Sequence, residues 1–197
     1  MSISVIAPMI AHSTIGGFDV PLLPYNETTS AQYKIGAVLT INNGYLSEAS
    51  DADPTIQIVG VAVQPGQNLG TAIAYPGYGL VYPSGASSGQ GSSTAGVASA
   101  VTPLLMVPAL PHVIFEATLA NEGSDSAIAT TVVWEKAGIA KDSTSGYWYV
   151  DIGDTTTNAS CLIIGIKNPQ DLTFGTTVGA RVYFTFLAAQ TAWGLAS

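Results

Sequence analysis

Charge is what this chain has least of: Asp, Glu, Lys and Arg together make up 9% of its 197 residues, against about a quarter in an average soluble protein. The five cationic residues, Lys34, Lys136, Lys141, Lys167 and Arg181, are too few to neutralise a run of phosphates, so direct binding to nucleic acid is not expected. The single cysteine, Cys161, excludes an intramolecular disulfide and fits a chain made in a reducing cytoplasm. Neither histidine, His12 or His112, has a partner at ligand spacing, which argues against a zinc site. No uninterrupted apolar run approaches about 18 residues, so no membrane-spanning helix is expected. The apolar N-terminus has no basic segment and is broken by Pro8, so no secretion signal is expected. A fixed-period repeat and a long amphipathic helix are both lacking as well.

Apolar material is plentiful by contrast. Hydrophobic residues make up 47% of the chain, its mean hydropathy is +0.36, and its length suits one sizeable domain with a substantial core. A surface this poor in charge must be covered by small polar residues and glycine, or by other protein. The second option suits an assembly subunit, because each charge at the centre of an interface has to be desolvated or paired. The alternative is a soluble monomer kept in solution by its net charge of -8.

Along the chain, residues 1–30 carry Pro8, Pro21, Pro24 and Gly16-Gly17 among the scattered large apolar residues Ile6, Ile10, Phe18, Leu22 and Leu23, with no sustained period. This pattern predicts an extended arm, which at full stretch would reach on the order of 100 Å; the alternative is a segment wrapped on its own domain. A β domain is expected over 31–189, followed by a tail over 190–197. Within it, strand-like runs rich in Val, Ile, Thr and aromatics occur at 35–41, 45–47, 56–63, 71–75, 79–82, 112–119, 130–134, 147–151, 161–166 and 180–187. Asn43-Gly44 marks a hairpin turn, since both residues tolerate the positive φ it demands. Many short strands with turn signals between them predict an all-β fold, a compact barrel or sandwich. The Ser/Gly-rich stretch 83–100 reads as a surface loop.

Few residues suggest chemistry. Gly85-Ala-Ser-Ser-Gly89 matches the nucleophile-elbow pattern formally, but it lies in the Ser/Gly tract with no following helix. Asp51 and Asp53 have the spacing of two calcium ligands without the remaining oxygens of a calcium loop. Glu116, Glu135, Asp142, Asp151 and Asp154 could supply a glycosidase pair, yet spacing selects none of them. Tyr147-Trp148-Tyr149 could face a sugar, although alternation in a strand sends Trp148 to the opposite side from the tyrosines. The sequons at Asn26 and Asn158 matter only in a secretory pathway. The expectation is a protein with no catalytic residues, no metal and no cofactor.

The segment Tyr33-Lys-Ile-Gly-Ala-Val-Leu-Thr-Ile-Asn-Asn-Gly-Tyr-Leu-Ser-Glu-Ala49, followed by Ile56-Gln-Ile-Val-Gly-Val-Ala62, resembles the opening of tailed-bacteriophage head decoration (capsid cement) proteins. The later stretch from Pro108 to Phe186 looks like the remainder of such a domain. The resemblance implies a compact, β-tulip-like domain with an N-terminal arm. It also implies a virion protein, synthesised in the bacterial host cytoplasm, that binds the outer capsid surface and cements neighbouring major capsid proteins against internal DNA pressure. Its partners would be the major capsid protein and other copies of itself, as trimers foremost and dimers otherwise, with no membrane involved. Ile6, Ile10, Phe18, Leu22 and Leu23 would be the arm's capsid contacts. The alternatives are another virion subunit, from tail or fibre, and a carbohydrate-binding β-sandwich module. Removing residues 1–24 is expected to leave a folded domain with weakened assembly.

Overall fold

The structure, a computed structural model, describes residues 8–17, 19–25, 33–42, 45–50, 57–63, 104–121, 132–155, 159–167 and 180–192. These residues form eleven strands and no α-helix: β1 (Ile10–Thr14), β2 (Leu23–Tyr25), β3 (Val38–Asn42), β4 (Tyr45–Glu48), β5 (Ile58–Ala62), β6 (Leu104–Pro108), β7 (Val113–Ala120), β8 (Lys136–Lys141), β9 (Trp148–Asp151), β10 (Cys161–Ile166) and β11 (Arg181–Phe186). A short 3-10 turn, Ala188–Gln190, follows the last strand. The fold is all-β, as the strand-like runs require.

Two sheets result. In the first, β7, β11, β10, β8 and β9 are joined in that order, and β9 returns to pair with β7, closing a five-stranded barrel to which β1 adds along β7. The closing pair is parallel, with Leu119 opposite Val150 and Ala120 opposite Asp151; the other pairings are antiparallel. Closure satisfies strand edges that would otherwise stand open. The second sheet is the antiparallel set β6-β5-β3-β4, extended by the three-residue β2 on β6.

Alternation decides what fills the barrel. Phe115, Ala117 and Leu119 of β7 and Val182, Phe184 and Phe186 of β11 share the buried core, each set at alternate positions along its strand. The three phenylalanine rings pack with centroids 5.0 to 5.8 Å apart, one pair stacked and two edge-to-face, the geometries their quadrupoles favour. Leu39, Val61 and Val107 of the second sheet belong to the same core, so the two sheets share one apolar interior.

Two glycines make close approaches possible. Gly60 on β5 faces β6 so tightly that an added Cβ would lie 2.4 Å from the Val107 carbonyl oxygen. Gly36 has φ +82, and a Cβ there would lie 2.6 Å from the carbonyl oxygen of Met9. The N-terminal segment is therefore seated against the turn before β3 by a position where only glycine fits without strain.

That seating revises the expected arm. Of residues 1–30, the described part enters both sheets: β1 pairs with β7, and β2 pairs with β6. The chain follows the alternative of a segment wrapped on its own domain, because unpaired strand backbone finds partners on the body itself. The expectation that residues 1–24 can be removed cleanly changes with it, since the cut takes away β1 and breaks β2. At the other end, Thr191 forms a parallel bridge to Ile58 and the Ala192 amide donates to the Ile58 carbonyl, so the start of the expected tail is tied to β5.

Most strand expectations meet a strand within a few residues. The register Asn42 opposite Tyr45 leaves two residues for the hairpin turn at 43–44, which itself lies outside the described residues, as do 71–75, 79–82 and 83–100. The run at 130–134 is corrected: Val132–Trp134 is a turn, and the strand starts at Lys136. Gly36→Ala is expected to lower the unfolding free energy by more than about 1 kcal/mol, since it combines a positive φ with a backbone collision. Urea denaturation with amide exchange at Met9 measures both the loss and its location.

Candidate interaction surface

The segment that wraps the body leaves an apolar groove beside it. Met9 and Ile10 at the start of β1, Leu22 before β2, Ile35, Val61 of β5 and Val107 of β6 are among the residues enclosing about 330 Å³. Leu22 and Ile10 stand at its mouth, 52% and 43% exposed. Leu23, next along the chain, turns the other way and packs half-buried against the core, its backbone paired with Met106. Of the five residues expected to make capsid contacts, Ile10 and Leu22 thus share one apolar opening and Leu23 supports it; Ile6 and Phe18 lie outside the described residues.

A buried ion cluster holds this opening in place. Glu116, on the face of β7 opposite Phe115, is nearly fully buried and accepts hydrogen bonds from Lys167 Nζ at 2.8 Å and from Arg181 Nε. Arg181 Nη2 donates to the Pro8 carbonyl at 2.9 Å, so the guanidinium clasps the start of the described chain to the barrel. Burial pushes the Glu116 carboxyl up, but the hydrogen bonds and charges of Lys167 and Arg181 outweigh it and hold the group below the ordinary glutamate range. Beside the clasp, the register of β1 slips between Ala11 and Ser13, and the intervening His12 stacks on Tyr183 with centroids 4.5 Å apart. His12 is a packing residue of a bulge.

A second clasp joins the sheets. Glu48 on β4 takes Lys141 Nζ of β8 on one oxygen at 2.7 Å and Trp148 Nε1 of β9 on the other at 2.9 Å. Lys34 reaches from the turn before β3 to the Ser145 carbonyl and lies over the Tyr147 ring, 4.7 Å from its centroid.

Sequence reasoning missed the most exposed large apolar side chain among the described residues. Trp134 is 71% exposed, and its φ of 72 places it in the left-handed region, a conformation that costs an ordinary residue about 1–2 kcal/mol. Its amide donates to the Ile163 carbonyl at 2.7 Å, pinning the turn to β10. A tight turn would ordinarily take glycine or asparagine at this position. The fold instead holds a bulky indole in strained backbone and leaves it exposed.

The residues considered for chemistry are dispersed. Among the described residues no three His, Cys, Asp or Glu side chains gather to hold a metal. Cys161 is fully buried, its Sγ 3.4 Å from the Ala137 carbonyl, and burial pushes its thiol far up, out of reach of thiolate chemistry. Asp142 accepts the Ser145 amide within its own turn, and although burial pushes its carboxyl up, hydrogen bonds from Ser145 and Thr144 hold it low. The Asp151 carboxylate accepts the Gly153 amide at 2.9 Å, Asp154 packs over Gly138, and Glu135 is exposed in the Trp134 turn. Trp148 is buried in the main core and Tyr149 in a small separate cluster, so neither offers a sugar platform. Asp51, Asp53, Ser87 and both sequon asparagines lie outside the described residues.

No protein-family profile, curated protein or solved structure matches this chain.

The Glu116 cluster has a definite pH signature. A carboxyl whose folded value is lowered stabilises the fold fully above its unfolded value, about 4.3, and that contribution is lost as pH falls through the folded value. Glu116→Gln is expected to cost about 3 kcal/mol near neutrality, at the low end for breaking a buried pair because Lys167 is partly exposed. Its deficit relative to wild type should shrink toward pH 3. Melting temperatures of both proteins across this range check it, and a pH-independent difference would show that the carboxylate charge is not what holds the clasp.

Proposed function

We propose that this chain is a non-enzymatic structural protein of a tailed-phage virion. It binds the outer surface of the head, cements neighbouring major capsid proteins, and acts together with other copies of itself. The observation that carries this reading is the character of the surface. Ile10, Ile15, Leu22, Ile41 and Trp134 are exposed at 43%, 56%, 52%, 52% and 71% on a chain that has little charge to surround them with. Large apolar side chains left in water on a folded body suit a subunit that is finished by contact with other protein.

The resemblance noted in the sequence supports the more specific part. Its two segments supply β3, β4 and β5, three consecutive strands of the second sheet. A β body to which the segments around β1 and Thr191 are stitched suits a load-bearing role, because an applied force then meets hydrogen bonds across several strands. Each half-exposed isoleucine that becomes covered adds roughly 1 kcal/mol, half the value for complete burial. Single contacts of that size hold weakly, and attachment gains from many copies acting on one lattice. The tail or fibre alternative differs in location, which electron microscopy of labelled particles resolves.

The deciding experiment is co-sedimentation of the purified chain with undecorated heads. Saturable binding at a copy number set by a symmetry axis is expected, with Ile15→Asp or Ile41→Asp weakening it at least about tenfold while circular dichroism stays unchanged. Failure to bind any head surface, or equal binding by both variants and wild type, would overturn the reading or move the contact elsewhere on the surface respectively.

A further inference from the structure

We infer that β1 is a strap that opens separately from the barrel, with the ion cluster at Glu116 as its acid-sensitive latch, whether or not the chain attaches to a head.

The barrel closes without this strand. β9 returns to β7 at Leu119 and Ala120, whereas β1 lies along Val113 to Glu116, outside the closed ring. Its departure leaves every pairing between barrel strands in place. Burial holds it only lightly: from Pro8 to Gly17 the buried residues are Met9 and Thr14, while β7 is buried over nearly its whole length. The register slip between Ala11 and Ser13 further interrupts the ladder. Past Ile15, whose amide donates to the His112 carbonyl at 2.7 Å, Gly16 and Gly17 have φ of 100 and 75. A Cβ added at Gly17 would meet nothing within 4 Å, so the chain has room to bend there. Sparse burial and a glycine hinge at one end are the features of a segment that opens short of global unfolding.

The other end is held by charge. Arg181 gives Nε to the Glu116 carboxylate, while its Nη2 donates to the Pro8 carbonyl at 2.9 Å and lies 3.3 Å from the carbonyl of Glu116 itself. The carboxylate orients the guanidinium, and the guanidinium holds Pro8. Among the described residues, the other titratable or charged groups about Glu116 are Lys167 just after β10, Tyr183 opposite it in register on β11, and His12 of β1 stacked on Tyr183. Protonation of Glu116 leaves Lys167 and Arg181 without their shared counter-charge. Both side chains are partly exposed, so each has a path to water. The guanidinium then turns outward and the Pro8 carbonyl loses its donor.

The sign follows from the cluster. Burial raises the Glu116 carboxyl, and Lys167 and Arg181 lower it by more, so its folded value lies below the ordinary one. The latch is closed at and above the ordinary glutamate range and opens as pH falls through the folded value. Opening bares the edge of β7 over Val113 to Glu116, and such edges pair with other strands.

Amide hydrogen exchange of the full chain reads strap and barrel separately. The strap is reported by the amides of β1 and by Ile15. The barrel is reported by Ile152, whose amide donates to the Ala120 carbonyl at the closing seam, and by Ile163, whose amide donates to the Glu135 carbonyl. In wild type at neutral pH the strap is expected to exchange at least about tenfold faster than the barrel, relative to free-peptide rates. Glu116→Gln should speed the strap at least about tenfold more, the size of a lost hydrogen bond to a charged group. Arg181→Lys keeps a charge beside Glu116 but gives up the bridge to Pro8, and supplies the same reading should Glu116→Gln fail to fold. On acidification strap protection should fall before barrel protection in wild type and in His12→Phe, which keeps a ring on Tyr183 but carries no charge. Glu116→Gln should lack this acid response. Strap and barrel amides that exchange together in wild type would overturn separate opening. Strap exchange unchanged in both latch variants, or an acid response lost in His12→Phe, would overturn Glu116 as the latch.

Discussion

The structure depends on one strand having more partners than a strand ordinarily takes. β7 is eight residues long, and β11 runs along one edge of it. The other edge is divided: β1 pairs with Val113 to Glu116, and β9 pairs in parallel with Leu119 and Ala120. The barrel closes only because β1 stops where β9 begins. β7 also sets the chemistry of both faces, since Phe115 enters the core while its neighbour Glu116 collects the ion cluster outside. Antiparallel strands need only a tight turn between them, but a parallel closing pair joins segments distant in the chain, and its loop entropy has to be met by burial. The phenylalanine cluster shared by β7 and β11 supplies that burial.

The scarcity of charge is accompanied by close use of what charge there is. Of the five cationic residues, Arg181 and Lys167 converge on Glu116, Lys141 joins Glu48, and Lys34 lies on Tyr147 and the Ser145 carbonyl. Each of these contacts ties one part of the chain to another distant in sequence. Lys136, at the start of β8, is exposed, as are the partnered Lys34 and Lys167. Four of the five cations therefore serve as fastenings between parts of the chain distant in sequence. Such fastenings specify geometry more than they stabilise, since part of each Coulombic gain is offset by desolvation.

Much of the fold was legible because β-strands announce themselves by β-branched and aromatic runs of about the right length. The runs at 161–166 and 180–187 correspond to β10 and β11 almost residue for residue. Four strands escaped, β1 and β2 in the segment read as an arm, and two more for reasons of composition. β8 reads Lys-Ala-Gly-Ile-Ala-Lys, and alanine and glycine carry little strand preference; they are there because the strand is covered on both sides, with Asp154 packed over Gly138. β6 ends in Pro108, opposite Gly60, where a proline ordinarily argues against a strand. The run 130–134 was misread because Val and Trp favour strands locally, while the turn is imposed by the hydrogen bond from the Trp134 amide to β10. Of the candidate contact residues, Ile10 and Leu22 could be picked out as apolar residues in a segment without period. The groove they open could not, because its other wall comes from β5 and β6, brought there by pairings that no local pattern encodes.

Local rules fail here at places that have something in common. Gly36 and Gly60 obey the rule that close approach needs glycine, and both serve the interior. Trp134 breaks the corresponding rule, holding the largest side chain where the smallest would relieve strain, and it stands 71% exposed. Stability alone does not favour such a residue, because glycine would relieve the left-handed strain and the indole is largely exposed. A residue set against local preference and against burial is one that the stability of the fold does not account for. What sets Trp134 apart is that its backbone strain and its exposure both run against the stability of the fold, where Gly36 and Gly60 serve it.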